Sequence, residues 1–196
     1  MSALRRVLAL VGPSGSGKST LQSALVRSMG AHRAARLVTT TTRAPRKGEV
    51  DGRDYHFVTD DEFERMKAAR EFFEHTQFGS AQYGATHSAL NDATAGGRVC
   101  VTVLDIKGSR AYQEASDKNA FDLKTVVISV DPDEIQRRLG LEDDSDMAQR
   151  LARDQVFWSE FYATDFLHGM MRNVGSIDES VEYLEKMVLK MFGMEM

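Results

Sequence analysis

The stretch that most limits what this chain can fold into is Gly12-Pro13-Ser14-Gly15-Ser16-Gly17-Lys18-Ser19. The apolar run Val7 to Val11 leads into it, and the helical pattern Leu21, Ala24, Leu25, Ser28 leads out. Buried strand, glycine loop and helix in that order are the setting of a P-loop. Glycines let the backbone curl so that successive N–H groups face phosphate oxygens, and the helix N-terminus adds partial positive charge. Lys18 is placed to neutralise β- and γ-phosphates, and the Ser19 hydroxyl to ligate Mg²⁺. An ordinary Gly/Ser turn would not require this spacing or these flanks. The expectation is a site for a nucleoside triphosphate.

The rest of the chain is consistent with one α/β domain of 196 residues. Val99 to Leu104 and Thr125 to Val130 are continuous apolar runs without alternation, which predicts a parallel sheet covered by helices on both faces. Between them and the P-loop helix, Thr39 to Gly97 reads differently, with short β-prone runs and tight turns, as an insertion where a second substrate could sit. Within it Leu37 to Thr42 is predicted as one β-prone segment, and Asp51-Gly52 as a hairpin turn into Tyr55 to Val58. Thr59 or Asp60 is a candidate cap for a helix carrying Phe63 and Met66, Phe72 to Phe78 is a short strand, and Gly79 to Thr86 is a loop. A helix then runs to about Ala95, with Gly96-Gly97 as breaker. Asp131-Pro132 starts a helix through Arg138-Leu139, another covers Met147 to about Tyr162, and the last carries Val181, Leu184, Val188, Met191 and Phe192 on one stripe.

A formal charge of −4 argues against a nucleic-acid binder, which usually presents a basic face. Cys100, the only cysteine, lies in an apolar run and is expected to be a buried thiol; a disulfide framework and a cysteine zinc cluster are both ruled out. The five histidines have no metal-ligand spacing, and the acidic run Glu142 to Asp146 does not match a calcium loop. No run reaches membrane-spanning length and the start lacks the apolar core of a secretory signal, so cytoplasm is the default compartment.

Several residues outside the glycine loop carry chemistry. Arg43, Arg46, Tyr55 and Tyr83 fit a site for a second phosphate dianion, and equally a solvated basic loop. Glu74 stands among aromatic and β-prone residues; its carboxylate could take the N1–H and 2-amino donors of a guanine, although a surface Glu is the commoner outcome for such a residue. Asp105 closes the Val99 to Leu104 run, where it could hold Mg²⁺ or its water or simply cap a turn, and the metal role is preferred beside a P-loop. Arg137, Arg138, Arg150 and Arg153 flank the acidic run and could close over a transferred phosphoryl group, or be plain surface residues.

Together these segments resemble the guanylate kinase family. The resemblance is carried by Gly12 to Thr20, by Thr40-Thr41-Thr42-Arg43-Ala44-Pro45-Arg46-Lys47-Gly48-Glu49 with Asp54 to Val58, by Glu71-Phe72-Phe73-Glu74, and by Tyr83-Gly84. The later half matches more loosely, through Asp131-Pro132, Arg138-Leu139 and Arg150-Leu151. The resemblance implies a P-loop core (residues 1–38, 98–136 and 154–196), a GMP-binding region (39–97) and a short lid (137–153), transferring phosphate from ATP to GMP with Mg²⁺. It implies Gly12, Ser14, Gly15, Ser16, Gly17, Lys18, Ser19 and Thr20 on the ATP phosphates, and Arg43, Arg46, Tyr55 and Tyr83 on the GMP phosphate. Glu74 would read guanine with Thr39 or Thr40 as supporting hydroxyl, Ser19 and Asp105 would serve the Mg²⁺ shell, and Lys18, Arg43, Arg138 and Arg150 the transferred phosphate. The expected partners are small molecules, GMP and by extension dGMP or IMP, for a monomer or homodimer that binds neither nucleic acid nor membrane.

Three positions depart from the family pattern. Ala85 stands where Ser or Thr usually follows the Tyr-Gly pair, Val103 where the strand before Asp105 usually carries an aspartate, and Gly140-Leu141-Glu142-Asp143 where the lid usually has Gly-Arg-Gly. The competing readings are a kinase for another nucleoside monophosphate or a phosphorylated sugar, and a non-catalytic binding module on the same fold; the intact Lys18 and Ser19 argue against the last.

Overall fold

The computed structural model describes residues 4–118, 121–139, 155–161, 165 and 167–195. Its centre is a five-stranded sheet of β1 (Arg6–Val11), β2 (Ala34–Arg36), β7 (Val99–Val103), β8 (Asp122–Ser129) and β9 (Gly169–Arg172). The order is β2-β7-β1-β8-β9 and every pairing is parallel. Both faces are covered, which is why its central strands show no polar alternation. Along β1 the pleat sends Leu8 and Leu10 to one face, against α1 (Lys18–Met29) and α7 (Ile177–Met191), and Val7 and Ala9 to the other, against α3 (His87–Thr94) and α4 (Ile106–Asp117). The predicted stripe on α7 is the buried one, with Val181, Leu184 and Val188 in the core. A capping box starts that helix: Ser176 accepts from Glu179 N, and the Glu179 carboxylate accepts from Ser176 N. Cys100 is buried in the second core layer, where burial pushes its thiol up to about 12.

A second, mixed sheet has the order β4-β3-β6-β5, from β3 (Thr40–Thr41), β4 (His56–Phe57), β5 (Phe72–Phe78) and β6 (Ala81–Thr86). Helix α2 (Asp60–Ala68) is capped by Thr59 and buries Phe63 beneath it, stacked on Phe72 at 4.5 Å. Helix α5 (Pro132–Leu139) follows β8 as expected, and residues 155–161 are helical (α6). Of the expected lid, 137–153, only 137–139 are described, as the end of α5, where Arg137 pairs with Glu134 at 2.7 Å; the rest, and most of the predicted helix from Met147, fall outside the described residues. Among the described residues no helix is long and apolar enough to cross a membrane.

The structure corrects the sequence reading at several elements. Leu37 to Thr42 is not one strand: Leu37 N still donates to Val101 O in the core sheet, whereas Thr40 and Thr41 pair in the mixed sheet. Asp51-Gly52 is a turn but not a hairpin turn, because β4 pairs in parallel with β3. The expected loop Gly79 to Thr86 is β6, antiparallel to β5. Helix α4 and strand β9 have no counterpart in the sequence reading.

Candidate active site

The glycine loop joins β1 to α1 as predicted, and close packing fixes its shape. A Cβ added to Gly12 would stand 2.3 Å from Ile128 O, a backbone atom that cannot swing away. Gly12→Ala should therefore lower stability by ~1–3 kcal/mol, the usual cost of forcing a methyl group into filled space, and weaken triphosphate binding with it. A thermal melt and an ATP titration of the variant check both; an unchanged melt would mean that the loop has room to yield. The far side of the loop is held by Asn173, a buried residue just past β9, whose Nδ2 donates to Ser16 O at 2.8 Å. The Lys18 ammonium donates to Gly12 O and Pro13 O at 2.7 Å each, so the cation already curls back over the loop. Ser19 and Thr20 are exposed on the first turn of α1.

Between loop and mixed sheet lies a cavity of about 390 Å³. Ser19 and Asp105 close it on the core side, and Thr39, Tyr55 and Tyr83 on the other. These five of the predicted residues are brought together; Arg43, Arg46, Glu74 and Thr40 do not line this cavity. Thr40 is buried within β3, so of the two candidate hydroxyls only Thr39 reaches it.

Arg43 sits at the edge of this region, held rather than loose. Its guanidinium donates to both Glu49 carboxylate oxygens, at 3.0 and 2.8 Å, and lies 5.4 Å from the centre of the Tyr55 ring. That carboxylate, and secondarily Tyr83, raises the Arg43 pKa above its already high value. Glu49 also accepts from Arg46 N at 2.6 Å, which ties the turn carrying both arginines. The Arg46 side chain is exposed.

Glu74 is not the surface residue that its type suggests. The register of β5 against β6 slips between Phe72 and Glu74, leaving Phe73 as an extra residue. Phe73 packs into the core on Tyr112 and Phe121, 5.1 and 5.5 Å between ring centres, while Glu74 comes directly opposite Ala85. Strand alternation puts Glu74 on one face with Thr76, Tyr83 and Ala85. Burial, and then the Asp105 carboxylate, push the Glu74 pKa up to about 7.

Asp105 is the cap that one of its two readings expected. Its Oδ1 accepts from Gly108 N at 2.7 Å as the cap of α4, and the residue is exposed at the cavity edge. Thr86, the residue after Ala85, spends its hydroxyl as acceptor on Ala89 N, capping α3. Arg138 lies in α5 with its side chain outside the described set, and Arg150 is outside the described residues altogether. Sequence reasoning missed Gln22, Arg36 and Thr76. Gln22 left a signal, since it shares a buried helical stripe with Leu25 and Met29, where an amide needs a partner; it donates to Val101 O at 2.8 Å.

The Ser19 hydroxyl and the Asp105 carboxylate, on the same cavity, suit a hard divalent cation held mainly by nucleotide phosphates. No cluster of three or more acidic, His or Cys side chains occurs among the described residues, so the protein offers no closed metal cage there.

Comparison with known proteins gives a consistent answer. A family model described as guanylate kinase matches residues 4–191. The guanylate kinase of Paramagnetospirillum magneticum is 37 % identical over 165 residues, covering 80 % of this chain and 75 % of that one. The human guanylate kinase is 36 % identical over 157 residues, covering 77 % and 76 %. The crystal structure of guanylate kinase from Anaplasma phagocytophilum aligns with a TM-score of 0.70 over 96 % of this chain and 87 % of that one; at 24 % identity this likeness speaks for the fold.

Proposed function

The chain belongs to the guanylate kinase family, and on that premise we propose how its residues divide the work of phosphorylating GMP at the expense of ATP. The reaction itself needs no protein nucleophile. An oxygen of the GMP phosphate attacks the γ-phosphorus of ATP, a new O–P bond forms as the bond to the ADP oxygen breaks, and GDP and ADP leave. Catalysis then consists of alignment and charge neutralisation.

The observation that supports the two-substrate reading is the shared cavity, with Ser19 and Asp105 on one wall and Thr39, Tyr55 and Tyr83 on the other; Arg43 adjoins it through Tyr55. Lys18 leaves the carbonyls of Gly12 and Pro13 for the β- and γ-phosphates, supported by the loop N–H groups from Gly12 to Thr20. Mg²⁺ would be held by Ser19 and, through Asp105 or its water, at the cavity edge; bound there it neutralises charge on the transferred group. Arg43 and Arg46, with Tyr55 and Tyr83, hold the acceptor phosphate, and Glu74 accepts the N1–H and 2-amino donors of guanine. Residues 39–97 act as the acceptor region, and Arg138 and Arg150 belong to a lid over 137–153.

Base choice rests on few groups. Ala85 offers no hydroxyl opposite Glu74, Val103 offers no carboxylate, and the Thr86 hydroxyl is used by α3, which leaves Thr39 as the supporting contact. IMP keeps N1–H and lacks only the 2-amino group, so GMP should lead IMP by about 1–3 kcal/mol, one or two hydrogen bonds. The test is a panel of GMP, dGMP, IMP and AMP with ATP and Mg²⁺, read as ADP release. ADP release no higher with any monophosphate than without would remove the kinase reading, and equal use of GMP and AMP would remove the guanine pocket.

A further inference from the structure

We propose that Arg36 is a third guanidinium for the phosphate of the acceptor nucleotide, beside Arg43 and Arg46. The proposal rests on the GMP reading above and extends it to a residue outside the segments that carry the family resemblance. Arg36 is the last residue of β2, where the chain leaves the core sheet, and it lines the same cavity as Tyr55 and Tyr83. Its Nε–H is closed off from solvent and meets no acceptor among the described residues. Asp54 Oδ1 forms a loose ion pair with its Nη1 at 4.0 Å, too long for a hydrogen bond, so no described carboxylate meets the Nε–H.

Asp54 is moreover already engaged. Its Oδ2 accepts from Val50 N at 2.8 Å and from Arg53 Nη2 at 2.8 Å, so its charge is balanced by Arg53. Glu49 is likewise balanced by Arg43.

Position favours the phosphate over the base. Asp54, which Arg36 faces, precedes Tyr55 in the chain, and the Tyr55 ring lies 5.4 Å from the Arg43 guanidinium and 6.1 Å from the Tyr83 ring. Arg36 thus shares its cavity with Tyr55 and Tyr83, and Tyr55 stands against the Arg43 guanidinium. A guanidinium donor left unpaired inside a cavity wall is costly, and an anionic oxygen satisfies it with a charge-assisted bond.

Calorimetric Kd values for GMP, dGMP and guanosine, on the unaltered protein and on Arg36→Met, Arg36→Lys and Arg36→Gln, test the assignment. Arg36→Met should weaken GMP and dGMP alike, by about tenfold or more, as for loss of one charge-assisted hydrogen bond. Guanosine, which has no phosphate, should be unaffected, Arg36→Lys should lose less, and the differences should shrink as salt is raised. The lysine and glutamine variants carry the test if the methionine variant melts abnormally. Equal loss on guanosine would make the role structural, and loss on GMP without loss on dGMP would move Arg36 to the ribose; either overturns the proposal. Unchanged GMP affinity in a protein that otherwise binds GMP removes Arg36 from the site. Failure of the unaltered protein to bind GMP at all would instead strike the GMP reading, and the Arg36 assignment with it.

Discussion

Glu74→Gln should cut kcat/KM for GMP by about a hundredfold or more while leaving the weak use of AMP nearly unchanged. In the proposed site the carboxylate accepts two guanine donors, each bond to a charged group contributing ~1.5–3 kcal/mol. Glutamine keeps the size but turns one acceptor into an N–H₂ donor facing a donor. AMP offers neither donor on that edge, so it loses nothing. Measuring kcat/KM for both nucleotides in wild type and variant decides the matter: an unchanged GMP-to-AMP ratio would show that guanine is read elsewhere.

The same carboxylate gives the reaction a pH dependence whose sign is fixed by its surroundings. Burial and the neighbouring Asp105 raise Glu74 to about 7, so in the empty site it is substantially neutral below that value. A neutral carboxyl cannot accept both guanine donors, so KM for GMP should fall as pH rises through 7. Stability runs the other way. A carboxyl with a folded pKa above its unfolded one stabilises the fold most below the unfolded value of ~4.5, and that contribution fades as pH rises toward 7. The empty protein should therefore soften across the window in which GMP binding strengthens, and Glu74→Gln should flatten both trends.

Lys18→Ala should lower kcat by on the order of a hundredfold or more, the usual effect of deleting a charge donor to the transition state. In the resting loop the Lys18 ammonium lies across the carbonyls of Gly12 and Pro13, so it can exchange those partners for phosphate oxygens. The fold should survive, because Asn173 still holds Ser16 and the strand beneath remains buried. GMP affinity should also survive, since the Lys18 ammonium rests on the glycine loop and is assigned to ATP, not to the acceptor. A folded variant with near-normal turnover would exclude Lys18 from the chemistry.

How much of this was legible in sequence depended on whether local pattern and global placement agreed. Val7 to Val11, the glycine loop and Leu21 to Met29 spell out strand, turn and helix in consecutive residues, and the structure follows them. Leu37 to Thr42 has uniform β propensity, so nothing in it marks where the chain leaves one sheet for another. Gly79 and Gly84 make β6 look like a loop, yet Gly84 is required within the strand. A Cβ there would stand 2.6 Å from the Phe72 ring, which fills the place of a side chain. Helix α4 escaped because its buried stripe, Ile106, Ser109, Tyr112 and Ala115, is half small or polar. Glu74 read as a surface residue because burial there comes from a slip in register with β6, which only the paired strand reveals. Arg36 and Asn173 likewise take their meaning from partners far away in the chain.

The extra residue at Phe73 has an evolutionary consequence. Its ring is wedged between Tyr112 and Phe121 of the core layer, and the next residue, Glu74, is the one proposed to read the base. Arg43 and Arg46 hang instead on a turn tied by Glu49. The grip proposed for that turn and the base contact proposed for Glu74 are thus heritable separately. Substitutions around Arg43 to Gly48 can tune how tightly any monophosphate is gripped without touching the choice of base. A change of base preference, by contrast, must pass through residues that the core also needs, and lineages are correspondingly less free to explore it.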